Sequence, residues 1–336
     1  MNHEAQEAES IVHQAADLFE TKYAFPAKGA EVATKLRERI ESGEFADASV
    51  DREFICSLTR LVRELSGDLH TGFAYFDSPQ PMRDEETFQF GQVDEEDVLE
   101  GRIRNCGFHS VKRLGGNIGY IDLREFVPVA VGAETATAAM SLIADTEALI
   151  IDLRRNMGGV LDMISYVASY LFEEPVPMSS RYNHITGETT DYWTSADVPG
   201  RRFGLKPVYL LTSASTFSGG EGLAYDLKQH GRVTIVGEKT PGGANATKIY
   251  TLTPHVWTAV TYGITTNPIS KTNFEGVGVE PDVAMDAEQA LDEAHRLALL
   301  EIRKDLDQRD WLPRVLEAYR EGVEQELERL TSTPSS

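Results

Sequence analysis

From about residue 134 the chain alternates apolar strands with helices at short intervals, and this constrains its fold most. "ETATAAMSLIADT" has helical periodicity, and "EALIIDLR" is apolar enough for a strand buried on both faces. "GGVLDMISYVASYLF" returns to helix, "KPVYLLTS" to buried strand, "SGGEGLAYDLKQHG" to helix and "RVTIVGEKT" to strand. Strands that alternate with helices in this way are parallel, with the helices as crossovers, so the expected class is α/β.

The flanking segments read differently. Residues 5–66 carry three helical patterns, with a break at Pro26, an N-cap expected at Asp51 and a stop expected at Gly67. "GFAYF" and "NIGYIDLREF" read as strands, and the acidic stretch "RDEETFQFGQVDEEDVLEG" between them reads as a solvated face rather than a metal site. Residues 286–332 form two amphipathic helices. In the second, Trp311, Leu312, Val315, Leu316, Tyr319, Val323 and Leu327 make one stripe, expected to pack on its own domain; the competing reading is a homo-oligomer through these helices. The expected division is a helical N-terminal domain over 1–68, an α/β core over 69–285 and C-terminal helices over 286–336.

A formal net charge of −22 argues against nucleic acid or an anionic membrane as partner. The start "MNHEAQEAES" is not read as a secretory signal, and no apolar run is long enough for a membrane span. Cys56 and Cys106 sit in unrelated contexts and read as free thiols. Together these features lead to the expectation of a cytoplasmic protein.

In open parallel sheets, sites gather beyond the carboxyl ends of the strands. Two such ends run into glycines here, "RNMGGV" and "ASTFSGGEG". Ser218 lies where a helix begins, among unpaired N–H groups, and serine is a good N-cap. Gly219 and Gly220 are poor helix formers, so their presence suggests a close backbone approach or a bare N–H aimed at a ligand. A nucleophilic Ser218 followed by the Gly219 N–H would build half of an oxyanion hole, with Gly158 or Gly159 as the other half. Ser213 and Ser215 are rival nucleophiles. Such a serine needs a base. His3, His13 and His295 are expected at the surface. His230 closes the helix that starts at Ser218, roughly 15 Å or more away, so it cannot serve. His70, in "SGDLHTGF", stands just beyond a helix stop. Glu275, in the glycine-bracketed "NFEGVGVEPDV", is a candidate to orient it.

Seven stretches in order, "GDLHTGF", "GGNIGYIDLREF", "LIIDLRRNMGG", "LTSASTFSGGEG", "VGEKTPGGA" and "NFEGVGVEPDV" with "KYAFP" before them, resemble the C-terminal-processing, or tail-specific, serine peptidases. The resemblance runs over nearly all of residues 8–300. It implies a crotonase-like ββα-type core and a serine peptidase acting on peptides or unfolded protein, with no metal or cofactor. Ser218 matches the nucleophile of the "SxxE" signature, and Gly219 with Gly158 or Gly159 matches the oxyanion hole. The lysine base of the tail-specific branch would fall on Gly243 and its accessory aspartate on Gln229, while Lys239 and Lys248 are out of register. His70 and Glu275 instead match the histidine and glutamate of the branch that includes the tricorn core protease. Leu69 stands where the tricorn protease has a relay serine, so Glu275 reaches His70 directly or through water, or Asp68 or Thr71 substitutes. The interval between "GFAYF" and "GGNIGYIDL" is too short for a PDZ domain. This layout is similar to the modules of interphotoreceptor retinoid-binding protein, whose implied alternative is a non-catalytic module for an apolar ligand.

Overall fold

Proline lacks the N–H of a helix interior but fits the first helical position, so Pro26 divides two helices. In the computed structural model, which describes residues 3–81, 93, 95–309, 311 and 313–332, α1 (His3–Lys22) ends before it and α2 (Pro26–Glu41) begins on it. α3 (Arg52–Ser66) has the expected caps: Asp51 Oδ1 accepts the Phe54 N–H at 2.9 Å, and Gly67 takes the left-handed conformation at φ 73°. Asp51→Ala is expected to cost about 1 kcal/mol. The check is a lower denaturant midpoint at unchanged slope.

The chain continues through β1 (Gly72–Tyr75), α4 (Glu95–Ile103), β2 (Phe108–Leu114), β3 (Ile118–Leu123), α5 (Val129–Ile143), β4 (Ala148–Asp152) and α6 (Leu161–Ser169). Then come β5 (Pro177–Asn183), β6 (Thr189–Trp193), β7 (Val208–Thr212), α7 (Gly219–Gln229), β8 (Thr234–Gly237), β9 (Ala246–Thr253), β10 (Val256–Thr266), β11 (Val283–Ala284), α8 (Ala290–Asp307) and α9 (Arg314–Ser332). Much of the acidic stretch, at 83–92 and 94, lies outside the described residues; its remainder opens α4.

Two compact units share these elements. The first combines α1–α3 with β1, β9, β10 and parts of β5 and β6, whose sheet has the order β1-β10-β5-β6 with β9 also paired to β10. β10 is antiparallel to β1, β5 and β9. Ile11, Phe19, Leu36 and Val62 of the helices pack with Tyr250, Leu252 and Val260 of the hairpin β9–β10. The helical N-terminal segment therefore buries its apolar faces on strands drawn from much later in the chain.

The second unit holds the largely parallel sheet expected from the alternating grammar, in the order β11-β8-β7-β4-β3-β2. β3, β4, β7, β8 and β11 are parallel, and only β2 runs antiparallel to its neighbour β3. All five residues of β4 and of β7 are buried. One sheet face, with Ile118, Ile150 and Leu211, packs against α8 and α9 through Ala294, Leu299, Val323 and Leu327. The last part of the C-terminal stripe thus packs inside its own unit, and Tyr319 Oη donates to Gly116 O at 2.8 Å. Trp311 and Val315 remain exposed. Contrary to the surface expectation, His295 is buried, with Nε2 2.8 Å from Gly115 O, because it lies on the inner face of α8. Cys56 is exposed and Cys106 buried, and both are free. Among the described residues no helix is long and apolar enough to cross a membrane.

Candidate active site

β7 delivers the chain to Ser213, where a tight turn consumes the rival hydroxyl. Ser213 Oγ donates to Arg154 O at 2.6 Å and accepts the Ser215 N–H at 3.0 Å. Thr216 Oγ1 accepts the Ser213 N–H at 2.9 Å and donates to Leu153 O at 2.8 Å. The Phe217 N–H then donates to Asn156 O at 2.9 Å, which ties this turn to the end of β4. Ser218 follows with φ 53° and ψ −119°. A relaxed N-cap sits in the extended region. A non-glycine residue held where Ser218 is carries about 1–3 kcal/mol of strain, and such strain concentrates at functional sites. Ser218 stands at the N-cap position, but its backbone is not that of an ordinary capping serine.

Glu221, fully buried in the first turn of α7, holds that backbone. Its Oε2 accepts the Ser218 N–H at 2.9 Å, and its Oε1 accepts Thr240 Oγ1 at 2.6 Å and the Gly242 N–H at 2.7 Å.

The glycines pack against the serine because nothing larger fits. A Cβ on Gly158 would lie 2.7 Å from Ser218 Cβ, 3.1 Å from its Oγ and 2.8 Å from Gly219 N. A Cβ on Gly219 would lie 3.0 Å from Gly159 N. Gly158 and Gly159 have φ of +107° and +131°, in the region that favours glycine. Both could supply a donor by position alone, but their N–H groups differ. That of Gly158 donates to Asn156 Oδ1 at 2.8 Å. Those of Gly159 and Gly219 donate to no acceptor among the described residues. The structure therefore brings Ser218, Gly158, Gly159 and Gly219 together and leaves two N–H groups open beside the serine.

Asn156 was not singled out from the sequence. Fully buried, it accepts Phe217 N–H, orients Gly158 and donates Nδ2 to Leu123 O at 3.0 Å, so it joins the ends of β3 and β4 to the turn after β7. Its place before two glycines at a strand end was the available signal.

Glu275 lies in the same unit, on the loop after β10, with its N–H donating to Asn273 Oδ1 at 3.0 Å. The Gly276 N–H donates to Gly242 O at 2.9 Å and the Val279 N–H to Thr240 Oγ1 at 2.8 Å. Glu221 grips Thr240 and Gly242, so one buried carboxylate connects the Ser218 backbone with the loop that carries Glu275. Lys239, out of register in the sequence, pairs with Glu280 at 2.6 Å.

His70 belongs to the other unit. Asp68, buried, shapes its turn: Oδ1 accepts the His70 N–H at 2.8 Å, and Oδ2 accepts Tyr23 Oη at 3.0 Å and Thr261 Oγ1 at 2.6 Å. Thr71 Oγ1 donates to Asp68 O at 2.9 Å. Asp68 and Thr71 thus build the loop that presents the imidazole. Burial lowers the His70 pKa from its ordinary value; the Asp68 charge opposes the shift and the Arg63 charge reinforces it.

The model of peptidase family S41 matches residues 117–285, half of the chain, and that of the N-terminal domain of peptidase S41 in eukaryotic IRBP matches residues 5–106. A carboxy-terminal-processing protease of Bartonella bacilliformis is 26% identical over 202 residues, which cover 55% of this chain and 42% of that protein. The chain spans less than half the length of the curated relatives it matches. Mature CPAF superposes with a TM-score of 0.60 at 12% identity, over 93% of this chain and 100% of that one. The photosystem II D1 C-terminal processing protease does so at 0.52 and 16%, over 86% and 94%. Identities this low speak for the fold alone. The family match over 117–285 contains the glycine turn, Ser218 and Glu275, and by it the chain belongs to peptidase family S41.

Proposed function

We propose that the chain is a serine peptidase in which Ser218 is the nucleophile, His70 the base and Glu275 the group that orients it. The observation that carries this reading is the strained Ser218 beside the two open N–H groups of Gly159 and Gly219. Strain and uncommitted donors both cost stability, and an acyl-transfer site uses both.

In this mechanism Ser218 Oγ attacks the carbonyl carbon of a peptide bond and His70 takes its proton. Negative charge gathers on the carbonyl oxygen, where the Gly159 and Gly219 N–H groups donate to it. The tetrahedral adduct collapses as His70 returns the proton to the leaving amine, and a water activated by His70 releases the acid from Ser218. The low pKa of His70 suits the role, because a base must be neutral to accept a proton. The substrates are peptides or unfolded protein. An N–H donor of this kind contributes about 10²–10³ to kcat.

A fluorophosphonate tests the reading, since it phosphonylates only an activated serine. Intact mass and peptide mapping are expected to place one adduct on Ser218 and none in Ser218→Ala. An adduct on Ser213 or Ser215, or none at all, would overturn the assignment and leave the chain as a binding module, to be screened against apolar ligands.

A further inference from the structure

Asp226 lies two turns beyond Ser218 on α7 and is 2% exposed. Its Oδ2 accepts Ser179 Oγ at 2.6 Å and its Oδ1 accepts Asn267 Nδ2 at 2.7 Å. Among the described residues no lysine or arginine pairs with it. A carboxylate buried without a cation is costly, and an apolar side chain would fill the same space at lower cost. Burial accordingly pushes the Asp226 carboxyl up to about 7, against the opposing hydrogen bonds from Ser179 and Asn267.

What this carboxylate holds is the start of the loop that ends in Glu275. Asn267 Oδ1 accepts the N–H groups of Ile269 and Ser270 at 2.9 and 3.1 Å, and the Asn267 N–H donates to Thr272 O at 2.9 Å. The Asn267 side chain therefore both folds the loop and anchors it to α7 through Asp226. Two further contacts follow along the same helix and loop. Tyr225 Oη donates to Ser270 Oγ at 2.9 Å, and the Phe274 ring lies 5.4 Å from that of Tyr225. Phe274 immediately precedes Glu275.

We propose that Asp226 is a positioning residue: by gripping Asn267 it sets the segment that carries Glu275 against the helix that carries Ser218. The proposal rests on the reading of Glu275 given above. Asp226 touches no reacting atom; it acts through Asn267 and the loop.

The test is a double-mutant cycle in the full chain, with Asp226→Leu, which removes both acceptor oxygens, and Glu275→Gln alone and combined. Assays on a peptide substrate run at about pH 8, where the carboxylate is ionised, and well below each variant's melting temperature. A misplaced orienting group is expected to lower kcat by about 10–100-fold with KM changed less than about twofold. In the Glu275→Gln background Asp226→Leu is expected to cost nothing more, because the loop then carries no carboxylate to misplace. If kcat of folded Asp226→Leu equals that of the parent, or the two losses multiply, Asp226 only supports the fold and the proposal is wrong. Should Asp226→Leu not fold, Asp226→Val removes the same two acceptors with less bulk and is read in the same way. A Glu275→Gln variant with full kcat and a labelled Ser218 would overturn the role of Glu275, and the proposal with it. Absence of both labelling and hydrolysis in the parent chain would instead sink the peptidase reading itself.

Discussion

Replacing His70 with alanine is expected to lower kcat by about 10⁴–10⁶-fold, as losing the base of a serine–histidine pair does elsewhere. Members of such a unit are grossly non-additive: once the base is gone, removing the nucleophile costs little more. The double variant Ser218→Ala/His70→Ala is therefore expected to be no slower than either single one. The pH profile carries the sign. Burial disfavours the charged imidazolium, so the pKa of His70 lies below the ordinary imidazole value of about 6.5. The neutral base then persists to lower pH, and the acid limb of kcat/KM is expected below that value. His70→Ala also leaves the Asp68 contacts to Tyr23 and Thr261 in place, so its melting temperature is expected to stay near that of the parent. An alanine variant within tenfold of the parent, or an acid limb above the ordinary value, would show that the base lies elsewhere.

The parallel sheet was legible because its signal is local. β4 and β7 are short runs buried at every position; β4 leads through Gly158 and Gly159 into α6, and β7 through a turn into α7, which opens on Gly219 and Gly220. The antiparallel sheet of the first unit was not read. β1 pairs with β10, and β10 with β5, so each partner is distant in sequence and no local period announces the pairing. The caps of α3 could be read because Asp51 and Gly67 act on their own helix. His295 could not, because a histidine on an amphipathic helix looks the same on either face until the packing partner is known. In the candidate site the serine and glycines were visible as types at strand ends. The choice between Gly158 and Gly159 was not, since it depends on the Asn156 amide that captures one N–H and leaves the other. The Ser218 conformation was equally invisible; it follows from the Phe217 anchor on Asn156 and the Glu221 carboxylate.

Alanine at Gly158 and at Gly159 is expected to fail in two different ways, although the residues are adjacent. Both have positive φ, so both substitutions carry roughly 1–2 kcal/mol of backbone cost. At Gly159 the new Cβ would lie 2.1 Å from Phe126 O and within 2.8 Å of Phe126 C and N. These are backbone atoms, and Phe126 is fixed by its N–H on Gly158 O and its carbonyl on the Val160 N–H, both at 2.8 Å. Relief therefore requires breaking the junction between the ends of β3 and β4, and Gly159→Ala is expected to lose about 4 kcal/mol or more. At Gly158 the Cβ meets Ser218 Cβ at 2.7 Å and Gly219 N at 2.8 Å instead. The clash falls on the serine side chain and on one of the two open donors. Gly158→Ala is expected to slow fluorophosphonate labelling of Ser218 by about 10²–10³-fold, the value of one oxyanion donor. Its melting temperature should fall much less than that of Gly159→Ala. Thermal melts and labelling rates on the two variants separate these effects. If Gly158→Ala labels at the parent rate, the space between Ser218 and Gly219 is not where the oxyanion forms. If Gly159→Ala melts with the parent, the Phe126 backbone moves more freely than its two hydrogen bonds imply.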